Sequence, residues 1–419
     1  MHTPQSINTR SNHTQAILQW IATQQDTLKT PLYLYSATAL RHAVTAYQAL
    51  FPKHSHGFYA LKANPQAALV KQMAMLGIGA EITGRGEWQS ADLAGIATIN
   101  RLAGGVCKSH AYLTMLCKQG NAAIVIESES EWQQLQIVSQ QLQSAEFAPP
   151  NFLLRINPNV SFGGLNMAGG SQFGLSVTQA VAIAQQASQQ PTVRFQGLHF
   201  YFGSQRLEID PIIAAIETVE QIVQTFQQAG VTITIVDLGL GLGVPYLARD
   251  KALALETLQT QLHAHWQRPV WENITLWFEA GRALVATSGY YIARVIERKQ
   301  LHGKTFIFLD GGLNVHNPGV GLGRFFRRNP RFHFVCATPT DEMETVNIVG
   351  NLCTTADTLG NDVVVPRLAV GDLVIVPNAG AYCQTTALWG FNTQPLFQEA
   401  ILTPDNTLTY IPAQHTQLR

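Results

Sequence analysis

Cysteine is scarce in this chain of 419 residues, and the five present (Cys107, Cys117, Cys336, Cys353 and Cys383) form no CxxC pair. An odd, scattered set excludes a disulfide framework as the basis of the fold and points to a reduced, cytoplasmic setting. Charge is sparse too, at 13% of residues, and 27 basic residues balance 27 acidic ones. Such a chain has no global field to draw it to nucleic acid or an anionic membrane. No segment offers the roughly 20 apolar residues of a membrane span, and the opening MHTPQSINTRSNH lacks the apolar core of a signal peptide. Clustered histidine and aspartate at strand ends are not found. His54 and His56 are neighbours, but alternate strand residues point to opposite sides, so no metal site is expected.

Short apolar runs alternating with helical spacing are abundant. After a helix expected over 14–28 and a strand over 31–36, the runs are GFYALKA, GIGAEIT, INRLAGG, AAIVIES, NFLLRIN, VRFQGLHFYF, TITIVDLG and TLWFEAG. Stretches with 3.6-residue periodicity, such as DPIIAAIETVEQIVQTFQQAG (210–230), separate most of them. Eight β-α units are the count of a closed parallel barrel. Beyond about residue 284 the helices cease, and YYIARVIERK, KTFIFLDGG, ETVNIVGNLC, DVVVPRL and DLVIVPNAG read as strands joined by turns. The expected fold class is α/β, a (β/α)8 TIM-like barrel followed by a C-terminal all-β domain. The division is 1–36 (helix and strand, packing on the β-domain), 37–284 (barrel) and 285–419 (β-domain).

The strand ends carry unusual residues. In FYALKANP a lysine, Lys62, closes an apolar strand, where an ammonium is paired, reaches solvent or is chemically employed. HFYFGSQ ends the sixth run, DLGLGLG the seventh and FEAGR the eighth. Each has a plainer reading: a solvated lysine, ordinary turns, a structural Glu279–Arg282 ion pair. Function is favoured because all four lie at the barrel end where catalytic groups gather. Together they suit pyridoxal phosphate, which needs a lysine amine, a carboxylate beside its ring nitrogen, a surface against the ring and backbone N–H groups for the phosphate. Lys62 supplies the first and Glu279 the second. The Gly-rich turns with Ser204 supply the last, and Arg282 adds charge-assisted hydrogen bonds.

In these motifs and their order the chain resembles the fold-type III pyridoxal-phosphate decarboxylases, which include the diaminopimelate, ornithine and arginine decarboxylases. YALKAN is similar to the lysine motif, GLHFYFGSQ to the ring-stacking and phosphate segment, and DLGLGLG to the glycine turn, although Leu240 interrupts it. FEAGR resembles the motif usually written EPGR, GNLCTTAD the catalytic-cysteine segment, and NAGAY the phosphate-binding tyrosine. The resemblance implies that Lys62 anchors the cofactor and that Cys353, with Lys62 a catalytic residue, supplies a proton. His199, Tyr201, Ser204, Gly239, Gly241, Glu279, Gly281, Arg282 and Tyr382 would surround the cofactor. It also implies a homodimer whose active sites are shared, with Cys353 reaching into the partner's site.

Three departures bear on the substrate. Tyr201 stands where the family usually has a ring-stacking histidine; a tyrosine face can still stack, and His199 either contributes or is an internal barrel residue. Thr354 follows the cysteine where an acid usually binds the substrate's distal ammonium, and Asp357 either substitutes or is a turn aspartate. The Arg-Pro motif of diaminopimelate decarboxylases is replaced by LDGGLNVHNPGVGLGRFFRRNP, whose Arg324, Arg327 and Arg328 could meet a substrate carboxylate or an acidic carrier protein, or be a solvated face. The pattern is similar to the secondary-metabolism branch: decarboxylases of a glutamyl thioester on an acyl-carrier protein, as in butirosin-type assembly, and siderophore-pathway decarboxylases. With the first are shared the tyrosine of HxYxG (Tyr201), the GVPY turn (Gly243–Tyr246), LCTxxD and a GR…R…NP stretch; the second share part of this pattern, including an MAG…QFG loop like Met167–Gly174. A small-molecule or carrier-tethered amino acid is therefore the expected substrate, with free meso-diaminopimelate the alternative. An alanine-racemase-like activity and a non-catalytic cofactor-binding regulator are the competing readings; the cysteine segment argues against the first and the intact lysine and glutamate motifs against the second.

Overall fold

The computed structural model describes residues 5–143, 147–160, 165–166, 171–320 and 329–412. Eight parallel strands close a barrel in chain order: His56–Ala60, Gly79–Ile82, Arg101–Ala103, Ala123–Ile126, Asn151–Arg155, Arg194–Tyr201, Ile235–Gly239 and Thr275–Ala280. The eighth pairs with the first, with Glu279 opposite Phe58. All eight correspond to the apolar runs in the sequence, because a strand covered by helices outside and side chains inside is buried on both faces.

The barrel interior is layered by the two-residue repeat of a strand. Its lower layer is an apolar plug of Phe58, Leu102, Ala123, Val125, Leu153 and Trp277. Two residues further along the same strands, charged groups replace it: Glu127 follows Val125, Arg155 follows Leu153, and Glu279 follows Trp277. At ~25 cal/mol per Å2 the plug stabilises the barrel while excluding water from beneath the polar layer.

The second domain is a mixed sheet of nine strands in which Leu32–Ser36, from before the barrel, is an internal member. It runs antiparallel to Gly289–Leu301 and parallel to Gln398–Leu402. The helix Gln5–Thr23 covers this sheet, with Ile17 and Ile21 packed among Leu32, Leu34, Tyr290, Ile292 and Ile375. Three strands not anticipated from the sequence, His333–Val335, Gln398–Leu402 and Leu408–Ile411, complete the sheet. No helix among the described residues is long and apolar enough to cross a membrane.

Candidate active site

The first barrel strand ends in a single 3-10 turn, Leu61–Ala63, that carries Lys62 over the barrel mouth. Its Nζ lies 3.6 Å from Glu81 Oε2 at the end of the second strand and 5.3 Å from the centre of the Tyr201 ring. Burial opposes the ammonium, but the charge of Glu81, then Tyr201, Tyr382 and Glu279, more than offsets it, so the lysine is held protonated well above its ordinary range. Burial likewise pushes Glu81 up to about 8, against the pull of Lys62.

The cavity is ≈ 440 Å3, lined among others by Lys62, Glu81, Arg155, His199, Tyr201, Ser204, Glu279, Arg282 and Tyr382. Glu279, from the eighth strand, lies 3.2 Å from His199 Nε2 on the sixth. Burial works against its ionisation, but His199 outweighs burial and holds the carboxyl down at about 2. On the opposite wall Arg155 Nη1 donates to Glu127 Oε1 at 2.5 Å, and its guanidinium lies 4.7 Å from the Phe173 ring centre.

One end of the cavity is a narrow cradle. Arg282 Nε donates to Ser204 Oγ at 3.2 Å, and Nη1 to Tyr246 Oη at 2.9 Å and the Val320 carbonyl at 2.8 Å. Its guanidinium lies 4.7 Å from the Tyr382 ring centre. Tyr382 has a positive φ of 65°, and its N–H donates to the Ala63 carbonyl at 2.8 Å, tying its turn to that of Lys62. Gly241, also at positive φ, runs so close to the Gly203 carbonyl that a Cβ there would stand 1.9 Å from its oxygen. Gly281 lines the same cradle, and Gly239 lies just before it at the end of the seventh strand, against the Tyr201 ring.

The sequence-predicted residues divide cleanly. Lys62, His199, Tyr201, Ser204, Gly239, Gly241, Glu279, Gly281, Arg282 and Tyr382 come together around one cavity and its cradle. Cys353 and Thr354 do not join them: Cys353 is exposed, with its N–H donating to Asn392 Oδ1 at 2.9 Å. Asp357 departs from its suggested substrate role. It is 2% exposed, and its carboxylate accepts the N–H groups of Leu313 and Leu352 at 2.6 and 2.8 Å, so it builds the cysteine loop. Arg324, with Arg327 and Arg328, lies outside the described residues.

The expected absence of a histidine–carboxylate cluster is corrected. Strand register sets Asp237 beside His199, and with Glu279 their ligand-type atoms all fall within 4.8 Å of one another. Sequence reasoning also passed over Glu81, Glu127 and Arg155. Their signal was present, since each closes or follows an apolar strand as Lys62 does.

The donor set fits pyridoxal phosphate. Glu279 Oε1 faces His199 Nε2 at 3.2 Å and no other N–H donor among the described residues, and His199 Nδ1 is buried without a hydrogen-bond partner. A Cβ at Gly241 would collide with the Gly203 carbonyl beside the cradle, and Lys62 lines both cavity and cradle. Fold and site define a barrel enzyme of fold type III built for that cofactor. The family described as "Pyridoxal-dependent decarboxylase, pyridoxal binding domain" matches residues 37–286, and the chain belongs to it. It is a pyridoxal-phosphate-dependent amino-acid decarboxylase.

Two relatives frame the question of substrate. The L-glutamyl-[BtrI acyl-carrier protein] decarboxylase of Niallia circulans is 30% identical over 364 residues, 84% of each chain. The diaminopimelate decarboxylase of Helicobacter pylori strain J99 is 29% identical over 390 residues, covering 90% of this chain and 91% of its own. The crystal structure of the Helicobacter pylori diaminopimelate decarboxylase complexed with L-lysine superposes with a TM-score of 0.82 at 26% identity, covering 95% of both chains.

Proposed function

We propose that the enzyme removes the α-carboxylate of an amino acid whose side chain ends in no free ammonium, such as a glutamyl group tethered to a carrier protein or a siderophore intermediate. The observation that carries this is in the cysteine segment GNLCTTAD. Its sole carboxylate, Asp357, is committed to two backbone N–H groups, and Thr354 offers only a hydroxyl. A distal ammonium buried against this segment would lack its counter-charge, a loss worth a factor of ~10^2 or more in selectivity. Similarity to the glutamyl-carrier-protein decarboxylase supports the same reading.

Lys62 would hold the cofactor through its amine. Glu279 would hold the ring nitrogen and Tyr201 would offer a face to the ring, while Ser204, Gly239, Gly241, Gly281, Arg282 and Tyr382 would bind the phosphate end. Pyridoxal phosphate, when bound, supplies the electron sink for the bond that breaks. The plug below and the walls at Arg155 and Phe173 exclude water and fix the substrate's orientation. The exposure of Cys353, away from its own chain's cavity, fits a homodimer in which Cys353 of the partner subunit returns the proton to carbon.

The test is carbon dioxide release by the loaded enzyme. Release from a glutamyl thioester, at least ~10-fold above that from free L-glutamate, L-ornithine or meso-diaminopimelate, is expected. Saturable release from free meso-diaminopimelate would overturn the reading in favour of the diaminopimelate alternative.

A further inference from the structure

Asp237 is the one member of the buried trio to which the decarboxylation chemistry assigns nothing. It sits on the seventh barrel strand, opposite His199 on one side and Trp277 on the other, and is wholly buried. Neither of its oxygens makes a hydrogen bond of ordinary geometry among the described residues, and its acidic neighbour in the trio is Glu279. The Leu238 N–H beside it favours the anion only against the larger effects of burial and Glu279. Two adjacent carboxylates in such a place cannot both be ionised. His199 faces Glu279, so the charge stays there and the proton stays on Asp237.

We propose that Asp237 is a positioning residue, held as a neutral carboxylic acid whose O–H is directed at Glu279. It fixes Glu279 as an anion aimed at the ring nitrogen, and to that extent it rests on the role proposed for Glu279. Burial and the charge of Glu279 both push the Asp237 carboxyl well above its ordinary range, in keeping with the geometry. A carboxylate bracketed by two donors cannot rotate away from the cofactor or take its ring proton.

Infrared spectroscopy and cofactor affinity test this together. The purified holoenzyme at neutral pH should show the carbonyl band of a buried carboxylic acid. That band should shift with carbon-13-labelled aspartate and be absent in Asp237→Asn. Affinity for pyridoxal phosphate, measured on apoprotein by quenching of intrinsic fluorescence, should fall about tenfold in Asp237→Val and less than about threefold in Asp237→Asn, whose amide still donates. The analogue carrying carbon in place of the ring nitrogen should bind wild type and Asp237→Val alike, because Glu279 has nothing to hold in it.

Absence of the labelled band, or equal losses for cofactor and analogue, would overturn the proposal; if Asp237→Val does not fold, the band and the Asn variant still decide. Stoichiometric metal in the holoenzyme would also overturn it, because a metal would stand where the proton is placed. If wild type binds cofactor and analogue equally, the assignment of Glu279 itself falls, and this proposal with it. If wild type discriminates between them and the band is missing, only Asp237 is misread.

Discussion

A lysine at the mouth of a barrel must discharge two duties, charge and reach, and its neighbours decide both. Glu81 is 3% exposed at its side chain and pushed up to about 8 by burial, so the fold favours its protonated form. The sign follows: the contribution to stability is full below the unfolded value of ~4.3 and is lost as pH rises through about 8. Chemical denaturation of the apoprotein should therefore show stability falling by a few kcal/mol, on the order of 1–3, between pH ~5 and ~8. Glu81→Gln should flatten that slope. A second residue-scale expectation concerns the cradle. Gly241→Ala adds a Cβ 1.9 Å from the Gly203 oxygen at a φ of +64°, so the turn must move. Cofactor affinity should weaken at least ~10-fold, with a stability loss of about 1–3 kcal/mol in thermal unfolding.

At the scale of elements, what was legible in the sequence was what local periodicity controls. The eight barrel strands stood out because strands buried on both faces are continuous apolar runs, and Lys62 stood out because it breaks one. What register controls was not legible. His199, Asp237 and Glu279 are scattered in the chain and meet only because neighbouring strands align them. The commitment of Asp357 to backbone N–H groups likewise appears only once the turns of Leu313 and Leu352 fold around it. The pairing of Leu32–Ser36 with Gln398–Leu402 joins opposite ends of the chain, beyond any local pattern. That pairing has a consequence at the site. Buried Glu399 accepts from Tyr35 Oη at 2.9 Å and from Gln66 Nε2 at 2.5 Å, while Asn64 Nδ2 donates to Tyr35 Oη and to the Gly380 carbonyl. One carboxyl thus braces the turn of Lys62 and that of Tyr382. Glu399→Leu leaves those donors unpaired and should cost about 2–4 kcal/mol in thermal unfolding. It should also speed cofactor release, whereas a purely structural lesion in the sheet would leave the release rate unchanged.

The whole molecule is where the two halves of the chemistry must be reunited. Lys62 sits in a cavity lined by its own chain, and Cys353 stands exposed, outside that cavity, on the β-domain. If a homodimer exchanges the cysteine loops, each site needs Lys62 from one chain and Cys353 from the other. Lys62→Ala and Cys353→Ala are then each inactive or nearly so as homodimers, since every site lacks one partner. Mixed and allowed to exchange at random, about half the dimers are hetero, and in each of these one site has lost both groups while the other keeps both. Activity should return to about one quarter of wild type as exchange proceeds, with a rate that follows subunit dissociation and not cofactor binding. Lys62→Ala mixed with Glu279→Ala should restore nothing, because both defects fall in the same chain's half of every site. Sedimentation of the loaded enzyme fixes the dimer independently. A monomer with full activity would remove the shared site, and Cys353 would then need a path into its own cavity that the observed loop, pinned by Asn392 and Asp357, does not offer.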